Sequence, residues 1–320
     1  MKNLFDRSSE QEFTWSSKHI LFFLKLNQIG PATVEKIIEI NPDIFQWDNE
    51  YVASQFPNYQ KMIQLLPDSI PELAELDRDG VVNFKDKNFP KNLQKMKVNK
   101  PLLLWYKGNL NIGDSIAVVG SRNMVPETNI VVQKFVEMAC NRNLSIVSGL
   151  AKGVDEKAHI TALENNTKTV AVLPSSLDNI LPSSNMNLAR EIVENGGLLL
   201  TEYEPGSPKK PENSNYILRN RIQAGISDAV FIAQSAVNGG TMTTAKHAID
   251  NEKIIITYKS PTNTEEFSGN KLLTQSLNQE SFNLSEFTKQ QQNIIANKNN
   301  VISDFQFENI NEIEEILQNI

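Results

Sequence analysis

The chain has 320 residues, of which 40% are hydrophobic and 22% are charged, and its formal net charge is −7 at pH 7. A chain of this length and composition can bury a full core and hold one large domain and a smaller one. The acidic balance excludes an indiscriminate polyanion binder, and no apolar run approaches membrane-spanning length.

The amino-terminal end and the cysteine content indicate the compartment. Residues 1–10 lack the apolar region of a signal peptide, so we expect a cytoplasmic protein without a membrane partner. Cys140 is the single cysteine. It cannot form an intramolecular disulfide, and with no histidine partner in view it is interpreted as an ordinary helix residue.

The first part of the chain has a helical pattern. Residues 17–26 and 32–40 carry apolar residues at helical spacing, and Ile29-Gly30-Pro31 separates the two runs. Such a turn occurs in helical hairpins that only pack and in hairpins that hold a DNA phosphate, and both interpretations stay open. We predict a small helical domain over residues 1–82.

From residue 115 onwards, strand and helix patterns alternate. A strand at 102–106 precedes the alternation, and further β-rich apolar runs lie near residues 115–119, 144–148, 169–173, 197–201, 229–233 and 254–258. Helical patterns lie between them, near residues 126–142, 153–165, 185–195, 218–226 and 241–251. This alternation predicts a doubly wound parallel sheet, in an α/β domain that covers residues 83–320.

The last part of the chain departs from this regularity. Residues 274–300 are rich in Asn, Gln, Ser and Lys, which predicts a mobile surface insertion. Residues 301–307 predict a last strand. Residues 309–320 form an amphipathic pattern without Lys or Arg, which is typical of a docking helix rather than a nucleic-acid reader.

Two turns of small residues, each with one cation, follow the first two strands of the alternation. One spans residues 120–122 and the other residues 148–153. In a parallel sheet such turns meet at the carboxyl edge, where helix N-termini present N–H groups to anions. The dinucleotide-binding and P-loop glycine patterns are absent, so neither NAD use nor ATP hydrolysis is supported and no cofactor is expected.

Asp155 and His159 lie four residues apart on the helix after the second turn. This spacing would place a carboxylate and an imidazole on one face, as a metal site or an acid–base pair requires. A third ligand is absent nearby. We favour a structural interpretation, in which a helix-start acid bonds within its own turn and the histidine packs on a neighbour.

Cations and one aromatic residue are concentrated at residues 205–225, where a long loop is expected. Four cations surround Tyr216 in the sequence, namely Lys209, Lys210, Arg219 and Arg221. This arrangement can track a phosphate backbone while one base stacks, although a loop with solvated charges would show the same pattern. Further along, Gly240 and Thr241 open a helix after a strand, which creates another N-terminus suited to anions.

Several motifs, taken in order, resemble the DNA-processing protein A family, also called Smf. They include Val119-Gly120-Ser121-Arg122, Ser148-Gly149-Leu150-Ala151-Lys152-Gly153, Arg219-Asn220-Arg221-Ile222 and Gly240-Thr241-Met242. The resemblance covers about residues 18–272 and, more weakly, the last helix. It implies an extended Rossmann-like domain preceded by a sterile-alpha-motif-like helical domain. Many relatives carry a carboxyl-terminal winged helix, which we do not expect in this chain.

The resemblance also implies a function without catalysis. Members bind single-stranded DNA during natural transformation, protect it and load the recombinase RecA, usually as homodimers. The family's DNA-contacting arginine falls on Arg122 and its base-stacking aromatic on Tyr216; its lysine before that aromatic is replaced by Asn213. The predicted DNA-binding residues are Gly120, Ser121, Arg122, Lys152, Lys209, Lys210, Tyr216, Arg219, Arg221, Gly240 and Thr241.

Two other functions stay open at this point. Phosphoribohydrolases of the same superfamily carry a glycine-rich motif that aligns on residues 238–246, where the catalytic glutamate is replaced by Lys246. The lost carboxylate could not stabilise a developing oxocarbenium ion, which argues against hydrolysis. The other alternative is a nucleotide-sensing module of an anti-phage system.

Overall fold

The computed structural model describes residues 17–25, 30–40, 80–277, 284–297, 302–306 and 310–320. The chain divides into two compact units. One comprises Met1–Phe89 and Asn99–Leu104, and the other comprises Pro90–Val98 and Trp105–Ile320. The domain boundary predicted after residue 82 stays a prediction.

The first unit contains the two predicted helices, α1 (Ser17–Lys25) and α2 (Pro31–Ile40), and the strand β1 (Gly80–Asn83). Their apolar residues are buried, including Ile20 and Phe23 of α1 and Ile37 of α2. Polar contacts add to this packing, since Lys100 Nζ lies 2.8 Å from Glu35 Oε1. Residues 26–29 lie outside the described part of the chain, so a DNA contact at this turn stays a prediction.

The second unit is built on a sheet with helices between its strands. The strands are β2 (Leu103–Gly108, of which Trp105–Gly108 belong to this unit), β3 (Ser115–Gly120), β4 (Ser145–Ser148), β5 (Thr169–Val172), β6 (Leu198–Thr201), β7 (Ala229–Gln234), β8 (Ile254–Tyr258) and β9 (Ile302–Phe305). The helices are α3 (Lys91–Gln94), α4 (Pro126–Cys140), α5 (Val154–Glu164), α6 (Met186–Glu194), α7 (Asn213–Ile226), α8 (Gly240–Asp250), α9 (Ser268–Leu277), α10 (Lys289–Ala296) and α11 (Ile310–Gln318).

The strand order confirms the predicted doubly wound α/β fold. The strands lie in the order β2-β6-β5-β4-β3-β7-β8-β9. Neighbours from β6 to β9 are parallel, whereas β2 pairs with β6 in the antiparallel direction. The chain winds outward from β3 to β6 and then returns to β7 on the other side of β3. Ligands of such sheets bind at this reversal, outside the carboxyl ends of β3 and β7.

The core explains why these strands appear as continuous apolar runs in the sequence. Strands β3, β4, β5 and β7 are buried almost throughout, because helices cover both faces of the sheet. Aromatic rings join the layers: Phe135 of α4 stacks on Phe231 of β7 with ring centroids 3.7 Å apart, and Phe305 of β9 meets Phe135 edge-on at 5.5 Å.

Helix α7 begins five residues before the predicted helix, so the expectation of a loop over the whole of residues 205–225 was wrong. The reason is a capping box that a periodicity argument does not detect. The side chain of Glu212 accepts from the backbone at Asn215, and Glu212 N donates to Asn215 Oδ1 at 2.8 Å. The helix therefore includes Tyr216 and gives it a fixed direction.

Part of the predicted mobile insertion packs against the sheet domain. Helix α10 has a capping box formed by Thr288 and Gln291. Gln291 is buried, and its amide donates to Asp250 Oδ1 of α8 at 2.9 Å; Phe287 is buried as well. Residues 278–283 and 298–300 of that segment lie outside the described residues.

The terminal amphipathic helix packs through its apolar side. In α11, Ile313 and Leu317 join the core that contains Phe305. Arg142 Nη2 lies 3.4 Å from Glu314 Oε2 on the rim of this contact. Across the ranges that the structure describes, no helix is both long enough and apolar enough to cross a membrane.

Candidate nucleic-acid interface

A cleft of about 500 Å³ opens at the carboxyl ends of β3 and β7, where the winding of the chain reverses. Its walls come from the turns after these strands and from one face of α7. Seven of the predicted DNA-binding residues line it, namely Gly120, Ser121, Arg122, Tyr216, Arg219, Gly240 and Thr241. The remaining four, Lys152, Lys209, Lys210 and Arg221, do not. A smaller cavity of about 360 Å³ between the end of β8 and α9 contains none of them.

The turn after β3 is held by Gln234, the last residue of β7. Its Oε1 accepts from Val125 N at 3.1 Å and from Thr128 Oγ1 at 2.7 Å, and its Nε2 donates to Asn123 O at 3.1 Å. Gln234 is almost fully buried. A single side chain therefore ties the turn that carries Arg122 to the neighbouring strand.

Arg122 and Tyr216 meet at the cleft, although they lie on different elements. The guanidinium carbon of Arg122 is 4.7 Å from the centroid of the Tyr216 ring, which is the geometry of a cation–π contact. Arg122 is exposed and Tyr216 is half-buried. A cation and an aromatic face are thus presented together to any ligand in the cleft.

Arg219 forms part of the cleft but is directed into the protein. It is only 5% exposed, and its Nη1 donates to Gly149 O at 2.7 Å and to Val172 O. A Cβ at Gly149 would overlap the guanidinium, so this glycine makes room for Arg219 rather than for a phosphate. The arginine cross-links the carboxyl ends of β4 and β5 to α7.

Arg221 is also buried and paired. Its Nη2 lies 2.7 Å and 2.6 Å from the two carboxylate oxygens of Glu202, just beyond the end of β6. The predicted cluster of four cations that track a phosphate backbone around Tyr216 is therefore corrected, since Arg219 and Arg221 both have internal partners. The two residues share a helix with Tyr216, but a buried arginine with carbonyl or carboxylate partners is part of the packing.

The N-terminus of α8 forms the far wall of the cleft. Asn220 of α7 holds it there, because its Nδ2 donates to Gly240 O at 3.2 Å and to Thr243 Oγ1 at 2.8 Å. Gly240 is exposed, and a Cβ there would meet nothing within 4 Å. The first backbone N–H groups of a helix have no intrahelical partner, so this end can accept an anion.

The three predicted lysines are exposed outside the cleft. Lys152 precedes Gly153, which has a φ of +81° and whose Cβ would lie 2.6 Å from Arg122 O. The turn of Lys152 is therefore packed directly against the turn of Arg122. The segment of Lys209 and Lys210 is held elsewhere, since Asn179 Nδ2 donates to Pro208 O at 3.2 Å.

Asp155 at the start of α5 and His159 in its middle are both buried and have separate partners. Asp155 lines the cleft and accepts from Ala151 N at 3.4 Å. Burial raises the pKa of its carboxyl, an effect that the charge of Arg219 opposes. His159 Nδ1 lies 2.7 Å from Thr169 Oγ1, whose own proton goes to Ile146 O. Within the described residues, no group of three His, Cys, Asp or Glu side chains could hold a metal ion.

Comparison with known proteins decides the family. The model of the family described as DNA recombination-mediator protein A matches residues 80–306, which is more than half of the chain. The chain belongs to this family. The resemblance found in the sequence motifs is thereby confirmed.

Curated relatives are identical to this chain at about a third of the positions in the aligned part. DNA processing protein DprA of Streptococcus pneumoniae is 37% identical over 209 residues, which are 64% of this chain and 65% of that protein. Protein Smf of Borreliella burgdorferi is 35% identical over 208 residues, 62% of this chain and 65% of that protein. The aligned part thus spans just under two thirds of the length of each relative.

Solved structures of the family share the fold. The structure of DprA from Streptococcus pneumoniae aligns with a TM-score of 0.70 and 28% identity, covering 82% of this chain and 93% of that one. DprA from Helicobacter pylori, whose structure concerns a unique single-stranded DNA binding mode, aligns with a TM-score of 0.55 and 28% identity. It covers 69% of this chain and 95% of that one.

Two residues that organise the cleft were not among the predicted DNA-binding residues, namely Gln234 and Asn220. Each is a polar residue in an otherwise apolar or helical run, and each is buried with its hydrogen bonds directed at a turn or helix end of the cleft. A polar residue at the end of a buried strand is a usable signal, because it requires partners there.

Replacement of His159 by glutamine is expected to reduce the loss of stability at mildly acidic pH. Burial, and secondarily Arg219, lower the pKa of His159 from 6.5 to about 3. The unfolded chain therefore binds a proton below pH 6.5 that the folded chain does not bind, and the free energy of unfolding falls as the pH decreases from there. This residue contributes a slope of up to about 1.4 kcal/mol per pH unit.

The measurement is the free energy of urea unfolding of the parent protein and of His159→Gln, at pH values between the two pKa values of His159, 6.5 and about 3. Burial lowers the pKa of His247 in the same direction and raises that of Asp155, but both groups are present in both proteins, so the difference between the two curves isolates His159. Parallel curves would show that His159 does not titrate between the folded and unfolded states.

Proposed function

We propose that this chain binds single-stranded DNA in the cleft at the carboxyl ends of β3 and β7. The observation that carries the proposal is the contact of Arg122 with the Tyr216 ring at the cleft, opposite the N-terminus of α8. Groove cations that neutralise phosphates and aromatic faces that stack bases are the two components of single-strand binding. The single-stranded DNA binding described for the Helicobacter pylori relative supports this choice.

The shape and charge of the cleft favour a single strand over a duplex. A cavity of about 500 Å³ with its aromatic ring half-buried can be reached by an unpaired base, whereas the bases of a duplex are stacked and paired. The chain is acidic as a whole, so attraction to DNA must be local. Arg122 and Lys152, on turns packed against each other, supply that local positive charge.

We propose that the chain acts without catalysis. Lys246 stands where a phosphoribohydrolase carries its glutamate, and its Nζ lies 4.0 Å from Glu286 of the segment before α10. A cation at this place cannot stabilise a developing oxocarbenium ion. The buried carboxyl that lines the cleft, Asp155, is bonded to its own turn and has Arg219 as its charge partner.

Membership of the recombination-mediator family supports a finer role. We propose that the chain protects incoming single-stranded DNA and delivers it to a RecA-type recombinase during natural transformation, as a homodimer in the cytoplasm. A nucleotide-sensing module is the alternative. Free nucleotides that compete with labelled oligo-dT at low concentration would favour that alternative over a polymer binder.

Replacement of Tyr216 by alanine tests the proposal through the aromatic half of the site. Loss of a stacked base is expected to weaken binding of labelled oligo-dT by about 1 to 3 kcal/mol at every salt concentration. The slope of log affinity against log salt should not change, because the phosphates keep all their partners. Tyr216→Phe keeps the ring and should bind nearly as well as the parent protein.

The lysine variants serve as the charge control for this experiment. If Lys209 or Lys210 neutralises a phosphate, its replacement by alanine should flatten the salt slope by roughly 0.7 per phosphate, without a constant offset in affinity. Normal binding by Tyr216→Ala would contradict stacking. If Tyr216→Phe bound oligo-dT as weakly as Tyr216→Ala, the hydroxyl group rather than the ring would be responsible for binding.

A further inference from the structure

One face of α7 forms a wall that descends from the mouth of the cleft to its floor. Tyr216, Asn220 and Gln223 lie on this face, since residues three, four and seven positions apart share one side of a helix. Their exposure falls along the wall: Tyr216 is half-buried, Asn220 is 9% exposed and Gln223 is 1% exposed. Gln223 therefore lines the deepest part of this wall.

The residues of this wall differ in their hydrogen bonds. Asn220 donates to Gly240 O and Thr243 Oγ1, and Arg219 donates to Gly149 O, so both are engaged within the protein. Gln223 Nε2 is buried without a hydrogen-bond partner in the described part of the chain. Buried donors are normally paired, and an unpaired amide at the base of a cleft is a place where a ligand can supply the acceptor.

The charge on the floor determines which part of a DNA strand can reach this amide. Asp155 lines the same cleft and is buried, so a phosphate at this depth would meet a carboxyl group and an arginine, Arg219, that is already engaged. Phosphates are favoured at Arg122, which is exposed. The base is therefore the part that enters, with its edge towards Gln223 and Asp155, as in proteins that read a base removed from its stack.

We propose that the cleft admits one base of the bound strand, edge first, and that Gln223 is a specificity-determining residue that donates to a carbonyl oxygen of that base. Thymine suits the floor, because it has a carbonyl on each side of its ring N–H. When the ring N–H faces the Asp155 carboxyl, one of the two carbonyls faces the Gln223 amide, whichever way the ring is turned over. Cytosine has nearly the same size but carries an amino group in place of one carbonyl and lacks this N–H. The inference rests on the proposed binding of single-stranded DNA.

The experiment compares labelled oligo-dT and oligo-dC of equal length, bound to the full chain and to Gln223→Leu. The parent protein is expected to prefer oligo-dT by about fivefold or more, and the variant to bind oligo-dT about tenfold more weakly, as when one hydrogen bond to a buried donor is removed. The preference should then disappear, while the salt slope stays that of the parent because no phosphate contact changes.

Stability provides the control on folding. Leucine removes an unpaired buried amide, so the thermal midpoint of Gln223→Leu should equal or exceed that of the parent. Gln223→Met, which keeps the unbranched shape, should repeat the loss of preference if the leucine variant folds poorly. The role of Gln223 would be overturned if the folded variant lost the same affinity for both oligonucleotides or kept the parent's preference for oligo-dT.

If Gln223→Leu bound oligo-dT as tightly as the parent and had a higher thermal midpoint, the Gln223 amide would contact only water, and the proposed bond to a base would be refuted. If the parent protein binds neither oligonucleotide, the proposed function itself fails.

Discussion

Arg122→Ala is expected to weaken the binding of oligo-dT by about tenfold to a hundredfold and to leave the thermal midpoint close to that of the parent protein. A hydrogen bond to a charged group contributes about 1.5 to 3 kcal/mol, and each 1.4 kcal/mol is a factor of ten in affinity. Arg122 is exposed, and its contact with Tyr216 contributes only about 0.5 to 1 kcal/mol to folding. Binding and stability should therefore separate in this variant.

Arg190→Ala is the matched control, because Arg190 is an exposed arginine on α6 that does not line the cleft. It changes the net charge by the same amount and should leave affinity nearly unchanged at moderate salt, where distant charges are screened. Arg122→Ala should also flatten the salt slope by about 0.7, the value for one phosphate contact on a single strand. Equal affinities of Arg122→Ala and the parent would refute the placement of DNA in this cleft.

Arg219→Leu is expected to destabilise the protein by about 2 to 5 kcal/mol, because a buried carbonyl oxygen that loses its donor costs about 1 to 3 kcal/mol and two such oxygens are affected. The substitution would remove the donor from Gly149 O and Val172 O, and it would remove the positive charge that opposes the rise in the pKa of Asp155. These carbonyls end two adjacent strands, so the damage should extend to the cleft. The midpoint of urea unfolding measures the effect.

Two further variants separate charge from geometry at Arg219. Arg219→Lys keeps the charge but cannot reproduce the planar fork that reaches both strand ends, so it should recover only part of the stability. Asp155→Asn combined with Arg219→Leu should cost less than the sum of the two single changes, because the partners are coupled. Parental stability in Arg219→Leu, together with a failure to bind DNA, would instead make Arg219 a direct DNA contact.

The alternation of strands and helices was predictable because the sheet is covered on both faces. Its central strands are continuous apolar runs, such as β7, and they stand out against the amphipathic helices between them. For most of these strands and helices, the observed first and last residues lie within two residues of the predicted ones. The start of α7 was missed because it depends on a reciprocal bond between Glu212 and Asn215, which apolar periodicity does not register.

The antiparallel pairing of β2 with β6 and the packing of α10 on α8 lay beyond the sequence argument. The residues that make these contacts are far apart in the chain, and nothing local specifies that they meet. Gln291 illustrates this point. In a segment rich in Asn and Gln it looks like a solvated residue, but its amide is buried against Asp250.

The sequence by itself determined the family, the fold class and the selection of Arg122 and Tyr216 as candidate DNA-binding residues, because these follow from local patterns and from motifs. Only the tertiary structure decided which cations are available to a ligand. Arg122, Arg219 and Arg221 carry the same charge, yet one is exposed and two are buried with internal partners. Burial depends on which strand ends a side chain meets across the sheet, and this is a property of packing rather than of residue type.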